Sequence, residues 1–345
     1  MKRTIKWAIV PVFVSLLAVQ IFFSAGLAQE TTVSFDNAWS FSDGLARVAV
    51  GKSIGYIDKT GNFVIRPSFY QVSIFFYPAY DFYEGRAQVI IAEKNGFIDK
   101  TGGVVIDPKF DDVWRFSEGL AQFEMNDKIG YIDLSGNIVI EAKFDEGDRF
   151  SGGLAPVELD GKWGYIDKSG NMVIDAVYKE AKVFSEGLAA VKVNAWGFVD
   201  KSGAMVVEAK YDDVWEFSEG LCAVETGGKI GFIDASGNMV ITPAYEDGES
   251  FSDGLASVEI GGKDGYIDKT GAVVIPATFD DANPFSGGLA AVEVNGKWGF
   301  IDKGGKFVIE PRFDRANRFS EGFASVEIGG RWFFVDKTGK ILGSK

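Results

Sequence analysis

Histidine is absent from this 345-residue chain, which removes the commonest general base and the commonest metal ligand at neutral pH. Hydrolysis would then need paired carboxylates or a serine–lysine arrangement. Carboxylates are plentiful, but they recur at regular spacing, whereas a catalytic pair stands out from its surroundings. Asp58, Asp99, Asp133, Asp167, Asp200, Asp234, Asp268, Asp302 and Asp336 close the same short pattern each time, and they read as hairpin-forming. Ser117, Ser151, Ser185 and Ser218 recur in the same way with no visible base. These features exclude most enzyme classes, and the chain reads as non-catalytic.

Two further groups have the right residue types for binding. The connector pairs Asp111-Asp112, Asp145-Glu146, Asp212-Asp213 and Asp280-Asp281, with Glu124, Glu158, Glu225, Glu259, Glu293 and Glu327, could align as acidic columns, and Ca²⁺ takes clustered oxygen ligands. No EF-hand or Gly-rich calcium-roll motif is present, and neighbouring Lys128, Lys162 and Lys297 fit a solvated face. No cofactor is therefore expected, with Ca²⁺ the weak alternative. The second group is aromatic. Two residues before a recurring Phe stand Trp39, Tyr80, Trp114 and Trp215, replaced in other copies by Asp148, Lys182, Glu249, Asn283 and Asn317. Variation at a fixed site marks exposure, so these four are the candidate binding residues, able to stack on sugar rings or anchor a protein. The competing reading is that they cover an apolar seam between repeats.

What positions these residues is a repeat. Phe-Ser-x-Gly-Leu recurs at Phe41, Phe82 (degenerate, Phe-Tyr-Glu-Gly-Arg), Phe116, Phe150, Phe184, Phe217, Phe251, Phe285 and Phe319. After a first interval of 41 residues the spacing is 33 or 34 throughout, and Gly-(Tyr/Phe)-(Ile/Val)-Asp gives the same nine copies. A period between 20 and 50 residues signals a solenoid, propeller or other array. Within a unit, residues 289–294 alternate as a strand, Asn295-Gly296 marks a tight hairpin, and residues 298–302 return. The Asp302 turn follows, and residues 307–310 form a third strand stopped by Pro311. The expectation is a three-stranded meander that cannot stand alone and shares its core with neighbours.

Residues 1–28 have a basic head (Lys2, Arg3, Lys6), an apolar body from Trp7 to Phe23 and small Gly26 and Ala28. This fits a secretory signal peptide, with an uncleaved membrane anchor as the alternative. Residues 29–345 then form one β-repeat array with no integral membrane span, secreted, periplasmic or at the cell surface. Without the three leader cations the net charge of −14 becomes −17. Such a surface repels nucleic acid and anionic membranes and favours cations or basic partners. Cys222 is the only cysteine, at a position held by Ala121, Ala155 and Ala256 in other copies, so it reads as a small buried side chain without a disulfide. About seven extra residues, rich in aromatics, lie between Phe69 and Phe82. Such an insertion reads as a loop on a binding face or a cover over the N-terminal edge.

Trp163-Gly164, Trp196-Gly197 and Trp298-Gly299, with Lys162 and Lys297 completing Lys-Trp-Gly, resemble the WG (KWG) repeats of bacterial proteins. The resemblance runs from Phe35 to Lys345. Ile54, Asn95, Ile129, Ile230 and Asp264 depart from the Trp, and the last copy reads Trp332-Phe333. It implies a β-rich array and adds little about chemistry, since the family is mostly without assigned activity.

The expected class is all-β, with nine repeats of about 34 residues favoured as an open, solenoid-like stack, because propeller blades usually need 40 or more residues and number four to eight. The shared Gly before each aromatic reads as a site where the next repeat approaches, freed to become Phe333 in a last repeat with no follower. The alternative is a closed, propeller-like ring in which residues 113–116 supply a fourth strand. The function expected is an exported, non-catalytic scaffold for an unidentified protein partner, with binding of carbohydrate or envelope polysaccharide through the exposed aromatics as the alternative.

Overall fold

A computed structural model describes residues 33–70 and 79–343. The expected leader, and residues 71–78 of the insertion, lie outside the described residues. No helix among the described residues is long and apolar enough to cross a membrane.

Each repeat folds as one antiparallel sheet, and the third shows the pattern. Asp112–Val113, Leu120–Met125, Lys128–Asp133 and Ile138–Phe144 lie side by side in that order. The connector therefore supplies a short first strand, and in six of the nine sheets the expected three-stranded meander is corrected to a four-stranded blade. Asn126 and Asp127 turn between the second and third strands with φ of 54° and 58°, the left-handed pair that a two-residue hairpin requires. At the next turn Asp133 Oδ1 accepts the N–H groups of Ser135 (2.8 Å) and Asn137 (2.9 Å). The bond from the residue two positions on recurs at all nine turn aspartates, which confirms their hairpin role.

The fourth strand runs through the expected stop, since it spans Phe307–Phe313 and contains Pro311. Its pairing jumps from Ile309 opposite Phe300 to Phe313 opposite Trp298. The proline sits in that bulge, where no ladder donor is needed. The bulge also explains the recurrent glycine. A Cβ on Gly164 would lie 2.5 Å from the Ile174 carbonyl oxygen and 2.7 Å from Ala176 N. The close neighbour is thus the repeat's own fourth strand and not the next repeat.

That strand then enters the following blade almost at once. Only Asp145 separates Ile138–Phe144 from the next first strand, Glu146–Gly147. A conventional crossover loop is absorbed into the bulge, so a 34-residue unit can make a whole blade.

Adjacent blades are joined by a contact that uses both repeat motifs. The ring of the Gly-(Tyr/Phe) motif meets the Phe of the next Phe-Ser-x-Gly, as in Tyr165 against Phe184, with centroids 4.9 Å apart at 62°, an edge-to-face geometry favoured by ring quadrupoles. Beside it the Ser151 hydroxyl donates to the Phe184 carbonyl at 2.5 Å, and at the preceding boundary, between blades three and four, Glu118 accepts the Gly152 and Gly153 N–H groups at 2.7 and 3.0 Å.

These links also join the last blade to the first. Phe334 meets Phe41 at 4.9 Å, the Ser320 hydroxyl donates to the Phe41 carbonyl at 2.7 Å, and Glu321 accepts the Gly44 N–H at 3.0 Å. Phe35 and Trp332 exchange backbone hydrogen bonds of 2.9 Å each, and Arg331 pairs with Asp36. In this way Phe35 takes, in blade nine, the place that Phe313 takes opposite Trp298 in blade eight. The nine sheets form a closed nine-bladed ring, which overturns the expected open stack. Phe333 is accommodated because blade nine has no bulge over that position among the described residues, and its ring packs into the local core with Ile341.

Replacing Phe35 with Ala should cost about 3 kcal/mol and remove hydrogen-exchange protection at the Trp332 amide and its neighbours in blade nine. Unchanged protection there would contradict closure through this pair.

Candidate functional site

The variable position two residues before each ruler Phe lies in or just after the short first strand. Its main chain is fixed on both sides. Tyr80 N–H donates to the Gln88 carbonyl at 3.0 Å, and the Tyr56 hydroxyl of the preceding blade donates to the Tyr80 carbonyl at 2.5 Å. Trp114 N–H donates to the Gln122 carbonyl at 3.1 Å. One residue further on, blades that are not adjacent come within reach: Arg149 of blade four lies 3.5 Å from Glu216 of blade six.

Two of the four candidate aromatics are brought together. Tyr80 and Trp114 line one cleft of about 430 Å³, with Asp81, Tyr83, Arg86, Gln88, Arg115, Gln122, Asp148 and Arg149. Its size lies within the range of small-ligand sites. Trp114 is exposed to 37%. Trp39 instead packs on the buried cluster around Ile54 and Phe82 and lies 3.9 Å from the Arg47 guanidinium. Trp215 packs against the cluster of Ile230, Phe251 and Val258. Both therefore cover a seam, as the competing reading held.

The cleft forms where the repeat pattern is broken. Blade two reads Phe82-Tyr83-Glu84-Gly85-Arg86 in place of Phe-Ser-x-Gly-Leu. Tyr83 replaces the serine whose hydroxyl bridges the other blade boundaries, and its ring stands 4.7 Å from the Arg115 guanidinium. Arg86 replaces a buried leucine and hydrogen-bonds the Leu134 and Gly85 carbonyls, each at 3.2 Å. Sequence reasoning missed these residues, although the degenerate motif was the signal that could have found them. Behind the cleft, buried Arg47 pairs with Asp81 at 3.1 Å and donates to the Ala79 carbonyl at 2.7 Å. Burial raises the Asp81 pKa, and Arg47 opposes that rise.

The first acid of each connector pair is held in structural contacts. Asp111 binds Lys94 at 2.5 Å and accepts the Asn126 N–H at 2.9 Å. Asp145 does the same with Lys128 (2.5 Å) and Asp160 N–H (2.9 Å). Each joins a hairpin lysine of one blade to the hairpin of the next. A small second cleft gathers Asp247, Glu249, Glu259, Asp264 and Asp281. Among the described residues no group of His, Cys, Asp or Glu is arranged to hold a metal ion.

Nine sheets closing upon themselves define a nine-bladed β-propeller. The chain belongs to the WG-repeat family: the family described as WG containing repeat matches residues 34–52, 54–94, 96–128, 129–163, 163–195, 196–229, 230–263, 265–298 and 298–332. No curated protein matches the chain. Among solved structures, a eukaryotic initiation factor is 12% identical, with 90% of this chain and 95% of that chain covered, at a TM-score of 0.60. BamB from Moraxella catarrhalis is 11% identical over 90% and 96% of the two chains at a TM-score of 0.42. The dihydro-heme d1 dehydrogenase NirN is 14% identical over 74% and 72% at 0.45. The first of these likenesses bears on the fold alone.

Asp264, which stands at the WG tryptophan position, is half-buried, and burial reinforced by Asp281, Glu259 and Asp247 pushes its carboxyl up to about 6. The folded state holds a proton that the unfolded chain releases near pH ~4, so this group's stabilisation is full below that value and is lost as pH rises through about 6. Asp264→Asn should therefore stabilise the protein at pH 7.5 by about 1 kcal/mol, after discounting for solvent screening. In urea unfolding the gain should fall below half of that at pH 4.5.

Proposed function

We propose that the protein is an exported, non-catalytic propeller that binds carbohydrate of the cell envelope in the cleft between blades two and four. The observation that carries this reading is the convergence of Tyr80 and Trp114 with two amide side chains, Gln88 and Gln122, in one cleft. Aromatic faces cover the apolar faces of a sugar ring, while amides and guanidinium groups supply planar hydrogen bonds to its hydroxyls. Export is supported by the basic head and apolar body of residues 1–28. A site on rigid first strands, pinned through backbone bonds to both neighbours, needs little reordering on binding, which lowers the entropic cost.

The test is retention of the purified protein on the producer's isolated cell-wall polysaccharide. Trp114→Ala should weaken retention about tenfold, the equivalent of ~1.4 kcal/mol of lost stacking, while Trp215→Ala in a folded protein should leave it unchanged. Wild-type retention by folded Trp114→Ala would overturn the carbohydrate reading and turn the search to protein partners.

A further inference from the structure

We propose that the sugar taken by this cleft is an acidic one, its ring on Trp114 and Tyr80 and its oxyanion, carboxylate or phosphate, on Arg86 and Arg115. This deepens the carbohydrate reading and rests on it.

The sequence contains ten arginines. Three of them, Arg86, Arg115 and Arg149, line this one cleft, and no lysine does. That clustering is unexpected in a chain of net charge −14. Arginine presents a planar, weakly hydrated fork that matches carboxylate and phosphate oxygens, so its choice over lysine points to an oxyanion.

The local charges leave room for a ligand's charge. Asp81 is matched by Arg47 at 3.1 Å behind the cleft. Arg149 lies 3.5 Å from Glu216 and 3.8 Å from Asp148. Among the described residues neither Arg86 nor Arg115 has a carboxylate within ion-pair distance, and residues 71–78 contain no acidic side chain. Arg86 spends Nε and one Nη on the Leu134 and Gly85 carbonyls, which fixes the guanidinium and leaves its other Nη to donate. Arg115 is held over the Tyr83 ring, an arrangement that keeps its edge available to hydrogen-bond while the face is stacked.

The acidic remainder of the protein does not cancel this field. Exposed charges more than about 8 Å away are largely screened at physiological ionic strength, so the nearest guanidinium groups dominate inside the cleft. Both substitutions that break the blade-two motif contribute: Arg86 replaces Leu, and Tyr83 replaces Ser and carries Arg115. The same departure that opens the cleft therefore also sets its charge.

Matched ligands test the inference by calorimetric titration of the full-length protein: galacturonate oligomers against their methyl esters, and glucose 6-phosphate against glucose. At least one acidic member should bind about tenfold more tightly than its neutral counterpart in 50 mM salt, with the gap closing as salt approaches about 0.5 M. Arg115→Gln should bring the acidic ligand to the affinity of the neutral one. Arg318→Gln, which alters the equivalent position of blade nine, should leave the gap intact and controls for net charge. Equal binding within both pairs overturns the inference and leaves the carbohydrate reading standing. Binding of neither pair removes both. Inorganic phosphate that competes as strongly as glucose 6-phosphate would show an anion site with no sugar recognition, and would also overturn it.

Discussion

Every blade boundary depends on one aromatic ring packed against another, edge-on at seven boundaries and tilted at Phe97–Phe116 and Phe41–Phe334. The ring from the third strand of one blade meets the Phe that follows the first strand of the next, with centroids between 4.8 and 5.0 Å in all nine cases. Such a pair contributes about 0.5–1.5 kcal/mol beyond the area it buries. Where the third-strand ring is Tyr, its hydroxyl reaches the main chain of the next blade, as Tyr131 does to Asp148 at 2.9 Å and Tyr266 to Asn283 at 2.7 Å. Packing and hydrogen bonding thus set the same blade spacing. The two motifs that count the repeats are the two halves of this contact, which is why neither drifts along the chain.

Compactness follows from the glycine that precedes each third-strand ring. Because it has no side chain, the fourth strand can fold across it, bulge at residues such as Pro311, and reach the next blade through a single residue. The short unit leaves the first strand only two residues long in blades such as the third. The side chains near that strand are consequently the least constrained in the repeat, and they are the ones that vary. The candidate binding residues occupy the position that the architecture least needs.

Much of this was legible in the sequence. Strand order, hairpin chemistry and the number of repeats follow from local patterns, because turns and alternation are fixed by neighbouring residues. Closure was not legible, since it turns on Phe35 meeting Trp332 across nearly the whole chain, and periodicity is identical for a stack and a ring. Repeat length pointed the wrong way because the crossover is hidden in a bulge. The recurrent glycine was recognised as a place of close approach, but its partner was assigned to the wrong repeat. In the candidate site, variation marked Tyr80 and Trp114, which the structure brings into one cleft. It could not separate them from Trp39 and Trp215, whose covering role depends on packing with Arg47 and Phe251. Arg86 and Tyr83 were visible only as a degenerate motif, and their meaning required knowing that the position faces the same cleft as Trp114.

Closure by Phe35 also has a kinetic side. Until residues 35 and 332 meet, blade one presents Phe41 and Ala38 while blade nine presents Phe323 and Phe334, complementary apolar faces that the closed ring buries together. Any second chain at the same stage carries the same two faces. Association between chains would be head-to-tail, a geometry that propagates into larger rings or filaments instead of ending at a dimer. What opposes it is tethering, since the chain's own end is present at an effective concentration that an intermolecular competitor reaches only when crowded. The partition between monomeric rings and polymer is therefore decided by protein concentration during folding, and not by the stability of the finished propeller.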